Sequence, residues 1–150
     1  MTTLFDSFDS VNSLFSDISN RIRDIDYEPA MIASLELIAD GEKAAFDAGQ
    51  APGGGAWAPN APSTIKKKGH GIVLFETGRL EKSLVEVGAP DNIHETSHRG
   101  LLFGTEVPYS IFNQEGTSRI PQREHVGMHE KLVDAITEEV ADFAVEQLKG

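Results

Sequence analysis

Hydrophobic residues at helical spacing occupy the two ends of this chain. Near the N-terminus they recur every three or four residues, on one face of a helix predicted over about residues 3–26: Phe5, Phe8, Val11, Leu14, Phe15, Ile18, Ile22 and Ile25. Near the C-terminus a second stripe, with acidic residues on its outer face, predicts the last helix: Leu132, Val133, Ile136, Val140, Phe143, Ala144 and Leu148. The middle of the chain must supply what these helices pack against.

Another helix is predicted after Glu28-Pro29, because proline suits the first turn of a helix and not its interior. Gly49 is a suitable terminator for it. Most of its apolar residues share one face, together with one glutamate: Ile32, Leu35, Ile38, Ala39, Glu42 and Phe46. The first third of the chain is therefore predicted to be two amphipathic helices.

The central region is predicted to hold a loop and a small sheet. Residues 49–71 contain six glycines and three prolines, which predicts an irregular, flexible loop. Residues 72–75 return to the core, and Thr77 can cap the turn after them. Residues 83–87 have strand composition, and a turn signal at 89–92 predicts a hairpin with a return strand over about residues 93–103.

Two shorter elements follow the predicted hairpin. Pro108 begins a helical segment that ends near Gly116, and residues 120–126 are a candidate edge strand weakened by Pro121. The predicted fold class is α+β, a small antiparallel sheet packed against N-terminal and C-terminal amphipathic helices, with the long Gly/Pro-rich loop. A length of 150 residues suits one core, so residues 1–150 are predicted to form a single domain.

Composition excludes several classes of protein. A net charge of −11 argues against a general nucleic-acid binder, which needs Lys and Arg to neutralise phosphates. The chain has no cysteine, and therefore neither a disulfide framework nor a thiol nucleophile. No apolar run approaches the roughly 20 residues that span a bilayer. The N-terminus also lacks the basic region of a secretory signal, so synthesis in the cytoplasm is predicted.

The only dense basic run is Lys66-Lys67-Lys68. A solvated loop end is the simpler interpretation of three such residues, and contact with an acidic neighbouring subunit is the alternative. If the protein lines a channel, its acidic surplus would repel DNA and let it slide past.

His94-Glu95-Thr96-Ser97-His98 matches the zinc motif H-E-x-x-H. On a helix this spacing places two imidazoles on one face for zinc, with the glutamate as general base. The segment falls instead on the predicted return strand, where residues 94 and 98 would stand about 13 Å apart. A zinc-dependent hydrolase is kept as the alternative hypothesis, and no metal or other cofactor is predicted.

Other candidate sites have weaker support. His125 and His129 are also four residues apart, but with Gly127 between them they are predicted to be a solvated pair at a helix start. Gly53-Gly54-Gly55 lacks the Lys-Ser/Thr of a phosphate-binding loop and is predicted to be a flexible tether. No nucleophile, base and orienting group can be assembled from the sequence, so no catalytic residue is predicted.

An ordered series of short motifs carries a family resemblance over roughly residues 28–148. The first half supplies Trp57-Ala58-Pro59, Ser63-Thr64 with the lysines, Leu74, Thr77-Gly78-Arg79-Leu80 and Ser83. The second half supplies Phe103-Gly104-Thr105, Val107-Pro108-Tyr109, Ile111-Phe112, Gln114-Glu115-Gly116 and Ile120-Pro121-Gln122-Arg123. Together they resemble the virion morphogenesis family of long-tailed bacteriophages, the Mu-like tail-completion or neck proteins. Asn113, where the family usually has His, and Glu124-His125, in place of an apolar-aromatic pair, depart from the pattern.

The resemblance implies a structural protein of the phage neck, and not an enzyme. Such a protein assembles as a homo-oligomeric ring, on the order of six or twelve copies, between the capsid connector and the tail. Its expected partners are portal, adaptor or head-closure proteins on one side and the tail terminator or tail tube on the other. DNA is expected to pass through the lumen without sequence-specific binding, and no membrane is involved. A monomeric adaptor that binds a partner through its long loop is a less specific alternative.

Within that family, the expected subunit interface consists of residues from the quoted motifs and the basic run: Trp57, Lys66, Lys67, Lys68, Arg79, Tyr109 and Arg123. Trp57 either caps the chain's own core or anchors in a pocket of a neighbour, as tryptophan often does at interfaces. For Tyr109 and Phe112, core packing is the simpler expectation and a subunit contact the alternative. Arg79 and Arg123 are candidate ion-pair partners for an acidic neighbour.

Overall fold

A computed structural model describes residues 4–150 of the chain, with side chains from residue 8 onward. Within that range it contains six helices and one two-stranded antiparallel sheet, so the α+β prediction is confirmed. The elements in chain order are α1 Leu4–Asp24, α2 Glu28–Ala48, α3 Pro62–Lys68, α4 Arg79–Val85, β1 Asn92–Ser97, β2 Gly100–Thr105, α5 Ser110–Glu115 and α6 Glu130–Lys149.

The three long helices agree with the hydrophobic pattern. Pro29 lies in the first turn of α2, and Gly49 ends that helix in the left-handed conformation, with φ of 64°. At the start of α6 the imidazole Nδ1 of His129 accepts a hydrogen bond from the Leu132 backbone. The predicted start of the first helix at residue 3 and the side chain of Phe5 lie outside the described part of the chain.

The hairpin is smaller than predicted and lies farther along the chain. Both of its strands come from the segment predicted as a single return strand, pairing from Asn92↔Thr105 to Ser97↔Gly100. Residues 83–87, predicted as the first strand, belong instead largely to α4. The strand prediction is wrong there because Leu80 and Leu84, four residues apart, share the buried face of a helix.

Two predictions about irregular segments are also wrong. The 49–71 stretch contains the helix α3. Pro62 lies in the first turn of this helix, and Gly69 ends it in the left-handed conformation, with φ of 79°. Residues 120–126 are not a strand: their backbone bonds to side chains and to α5, as when the Asn113 carbonyl accepts from the Arg123 N–H. Pro121 already weakened that strand.

The core lies where α4 meets the hairpin. Its centre is formed by Leu80, Leu84 and Val107, and partly buried apolar residues pack around it: Phe46, Leu74, Val85, Phe103 and Val126. Helix α2 contacts both strands and α4, and also α6. The Leu-x-x-Ser of the α4 motif is therefore structural, since Leu80 and Ser83 are almost completely buried and the Ser83 hydroxyl donates to the Leu80 carbonyl.

Helix α1 stands apart from this body. Its contacts with the body lie near its C-terminal end, where the Arg21 guanidinium donates to the Leu148 carbonyl and that of Arg99 donates to the Arg23 carbonyl. The Tyr27 hydroxyl donates to the Ile22 carbonyl there as well. Among the described residues, no helix is both long and apolar enough to cross a membrane.

Substitution of Gly116 tests how closely the segment after α5 packs against residues 120–126. Its φ of 74° and ψ of 168° suit only glycine, and a Cβ there would lie 2.8 Å from the Gln122 backbone nitrogen. We expect Gly116→Ala to destabilise the protein by about 2 kcal/mol or more in urea unfolding. Gly41→Ala is the control: it lies inside α2 with open space around its Cα and should stabilise by about 0.5–1 kcal/mol. Similar losses in both variants would contradict the structure.

Candidate functional site

A groove on one side of the body brings together several residues of the predicted interface. It encloses about 470 Å³. Its walls are α3, the segment that precedes α4, the start of α5 and residues 119–123. Lys68, Tyr109 and Arg123, which are far apart in sequence, line it together with Arg119. Glu76 is the acidic residue of this lining. We call it the basic groove.

Arg123 forms the floor of the basic groove. Its side chain is only 7% exposed, and its Nε and Nη2 donate to the carbonyls of Ala58 and Pro59 at 2.8 and 3.0 Å. Burial lowers the pKa of the Arg123 guanidinium, but the group remains charged at neutral pH because the ordinary pKa of arginine is so high. These contacts hold the loop after α2 against residues 120–126, so Arg123 serves its own chain and is not free to reach a neighbour.

Trp57 holds the same two segments together from the other side. Its indole N–H donates to the Glu124 carbonyl at 2.6 Å, and its ring packs edge-on against Phe46 at 5.1 Å. Only 7% of the residue is exposed. Of the two interpretations of Trp57, the structure therefore has the cap on the core. The anchor in a neighbour's pocket would require this side chain to leave its site.

Gln114 and His125 also bond to residues 120–126. Together with Trp57 and Arg123 they form a set of contacts that we call the latch. The Gln114 side-chain oxygen accepts from the backbone N–H groups of His125 and Val126, and its amide donates to the Val126 carbonyl. The ring of His125 lies 2.8 Å from the Ser110 hydroxyl and 2.9 Å from the Arg123 carbonyl. His125 is completely buried, so the prediction of a solvated histidine is wrong; burial lowers its pKa and keeps the ring neutral.

Glu42 is a second buried polar group. The sequence pattern placed it on the apolar face of its helix but indicated no role for it. It is 2% exposed on α2, the Gly127 N–H donates to its carboxyl, and its Oε2 has no partner among the described residues. Burial, with the nearby Glu124 charge adding to it, raises the pKa of Glu42 to about 8. Glu42 is therefore protonated in the folded protein at neutral pH.

The remaining predicted interface residues are exposed or, in the case of Lys68, half-buried. Lys66 and Lys67 point from the last turn of α3 into solvent, and the Lys68 ammonium donates to the Ile72 carbonyl at 3.1 Å. The core-packing expectation is wrong for Tyr109 and Phe112, which are 42% and 52% exposed. Their alternative, a subunit contact, stays a prediction.

Arg79 lies near the groove but already has a partner. Its guanidinium forms two hydrogen bonds with the Asp91 carboxylate, at 2.7 and 2.9 Å. This pairing, a side-chain hydrogen bond and then charge, lowers the pKa of Asp91 and raises that of Arg79. The pair fixes the start of α4 to the turn before β1, in which Asp91 has a positive φ of 64°. The acidic partner of Arg79 is thus within its own chain.

The H-E-x-x-H motif lies on β1 and in the turn after it, not on a helix. The His94 ring stacks on Phe103 at 4.8 Å with its Nε2 at the Leu84 carbonyl, and burial lowers its pKa. His98 is directed to the Asp26 carboxylate instead, at 3.2 Å. Within residues 4–150 no group of three or more His, Cys, Asp or Glu residues is placed to hold a metal ion. The two imidazoles therefore have separate surroundings.

Comparisons with protein-family models, with curated proteins and with solved structures found no match to this chain.

The latch generates a prediction for stability. Arg123→Ala removes two hydrogen bonds from a charged donor and leaves two carbonyls without partners, so we expect a loss of about 2 kcal/mol or more. Arg119→Ala is the matched control, because Arg119 lines the same groove but is exposed, and should change the free energy of unfolding by less than about 0.5 kcal/mol. Equal effects in urea unfolding would show that Arg123 does not hold the segments together.

Glu42 generates a prediction for pH dependence. Its folded pKa of about 8 lies above the ordinary value of 4.5, so the folded state binds the extra proton and stability falls as pH rises between these values. We expect the stability of Glu42→Gln relative to the wild type to increase over that interval, so that the free energy of unfolding differs by a few kcal/mol more at pH 9 than at low pH. The lowered pKa values of His94 and His125 affect both proteins alike and cancel in the difference. A constant difference from pH 5 to pH 9 would contradict this account.

Proposed function

We propose that this chain is a structural virion protein of the bacteriophage neck, which assembles into a tail-completion ring between the capsid connector and the tail. The observation that carries the proposal is the basic groove with its exposed rim: basic side chains from α3 and residues 119–123 gather on one side of a chain whose net charge is −11. Charge complementarity of this kind fixes the orientation of neighbouring subunits. The occupant of the groove is an acidic surface of the next subunit.

The acidic surface that suits the groove lies on the long helices of the body. Apart from the buried, neutral Glu42, helix α2 carries four acidic residues and one basic residue, and α6 carries six acidic and two basic residues. A contact between the groove of one copy and an acidic helix of the next is heterologous, and repeated contacts of this type close into a ring when the rotation permits. Tyr109, which lines the groove and is 42% exposed, supplies apolar area to the same contact.

The motif residues support the proposal in a second way. Trp57, Gln114 and Arg123, all quoted for the family resemblance, form one connected latch around residues 120–126 and the loop after α2. They hold the walls of the groove in a fixed shape, as a preformed docking site requires. The acidic residues that face the lumen of such a ring would keep the passing DNA from adhering. In this role the protein resides in the virion, at the top of the tail.

Reversing one charge at the rim of the groove tests the proposal. Arg119→Glu reverses an exposed charge in the groove lining and should shift the assembly equilibrium of the purified protein toward smaller species by roughly tenfold in sedimentation velocity. Lys131→Glu makes the same change of charge on an exposed residue of α6 and should have little effect. Equal shifts would mean that net charge, and not the groove, controls assembly.

The neck function itself is tested by joining heads to tails. Purified protein added to an extract of phage-infected cells in which this gene is disrupted should convert free heads and tails into complete particles, counted by negative-stain microscopy and by plaques. Ring-shaped particles should be visible in the protein alone or once the connector is added. A protein that restores no particles and forms no ring would overturn the proposal.

A further inference from the structure

From Phe8 onward, helix α1 presents an apolar face that the described part of its own chain leaves exposed. From Phe8 to Ile18 its hydrophobic side chains are all more than a third exposed, and Phe8 and Phe15 reach 64%. In the described part of the chain, the Arg21 guanidinium and the Arg23 carbonyl, near the C-terminal end of the helix, form hydrogen bonds with the body. A single-chain protein rarely leaves a continuous patch of this kind in water.

The spacing of this face identifies the shape of its partner. Five exposed apolar residues of α1 are separated by three, four, three and four positions: Phe8, Val11, Phe15, Ile18 and Ile22. This is a heptad repeat with an average period of 3.5, and it keeps one narrow seam facing a second helix wound around the first. In heptad notation Phe8, Phe15 and Ile22 take the a positions. Val11 and Ile18 take the d positions, and Leu14 lies beside the seam at a g position.

From these features we infer that α1 pairs with α1 of a second copy of this chain, in antiparallel orientation. The first reason is size. An antiparallel pair sets each a residue against a d residue, so Phe15 faces Ile18 of the other copy and Val11 faces its Ile22. Every layer then combines one larger and one smaller or branched side chain. A parallel pair would stack Phe on Phe and Val on Val and leave the layers uneven.

The second reason is charge. Between Phe8 and Ile22, α1 carries only Asp9, Asp17 and Arg21, whereas α2, apart from the neutral Glu42, has an excess of three acidic residues and α6 an excess of four. Copies of an acidic chain therefore approach with least repulsion along α1. The antiparallel register places the two Ile25 residues, where the bodies begin, about 25 Å apart along the helix axis. That exceeds the screening length of about 8 Å at physiological salt, so the acidic bodies do not repel strongly.

This pairing goes beyond the proposed neck function and does not use the basic groove. It supplies a two-fold contact, and the groove supplies a heterologous one. Loss of one contact should leave the other intact, so the two are tested separately.

The oligomeric state tests the pairing. The wild type should associate at least to a dimer in sedimentation equilibrium, and Phe15→Asp should weaken this two-fold contact by more than about tenfold. Ser13→Asp adds the same charge on the opposite side of α1 and should leave the dimer intact. The thermal unfolding of the body should be unchanged in both variants. A wild type that stays monomeric up to millimolar concentration, or equal effects of the two variants, would overturn the inference.

Engineered disulfides test the orientation, because the chain has no cysteine of its own. When Val11→Cys and Ile22→Cys proteins are mixed and oxidised, the mixed dimer should exceed either self-linked dimer. Ser13→Cys should not cross-link. A majority of Val11-to-Val11 and Ile22-to-Ile22 links would show a parallel pair and overturn the antiparallel assignment. Binding of monomers to lipid vesicles through α1, lost in Phe15→Asp, would overturn the pairing itself.

Discussion

The hydrogen bonds across two irregular segments are the constraint on which the rest of the body depends. Residues 120–126 have no strand partner, so their backbone groups must be satisfied by side chains. Trp57 and Gln114 bond to the backbone of residues 124–126, and Arg123 within the segment donates to the carbonyls of Ala58 and Pro59. Because these residues bond backbone atoms, the segment is fixed without regular structure. The basic groove follows from it, since α3 and residues 119–123 are its opposite walls.

Periodicity in the sequence predicted the long helices and the fold class, and it failed where local residues and tertiary contacts competed. Residues 83–87 have β-branched composition, yet the burial of Leu80 and Leu84 on one face favours α4. The many glycines of residues 49–71 predicted a loop, so the seven-residue helix α3, which begins at Pro62 and is ended by Gly69, was missed. The turn at 98–99 that splits the predicted return strand was likewise not recognised. Short elements with few periodic residues carry too little pattern to be distinguished.

The candidate site was predictable in its residues but not in their roles. Trp57 and Arg123 were selected from motifs, and the structure gives both a partner within the chain that no linear pattern displays. His125 and Glu42 illustrate the opposite case. Both are buried and neutral because of surroundings that come from distant segments, so the sequence alone indicated solvent for His125. Of the predicted interface, Lys66, Lys67, Arg79 and Tyr109 are exposed, and Lys68 is half-buried.

Helix α1 links the folding of the chain to its association. Eleven of its twenty-one residues are Ser, Asp or Asn, which compete with the helical backbone for hydrogen bonds and favour caps and turns. A helix of this length with such a composition is marginal in water without tertiary packing. Its C-terminal end bonds to the body, whereas its apolar side chains from Phe8 to Ile18 are all more than a third exposed. Burial of the heptad seam in a second α1 would supply the missing stabilisation, so helicity of the arm and pairing of the chains should rise together as protein concentration increases.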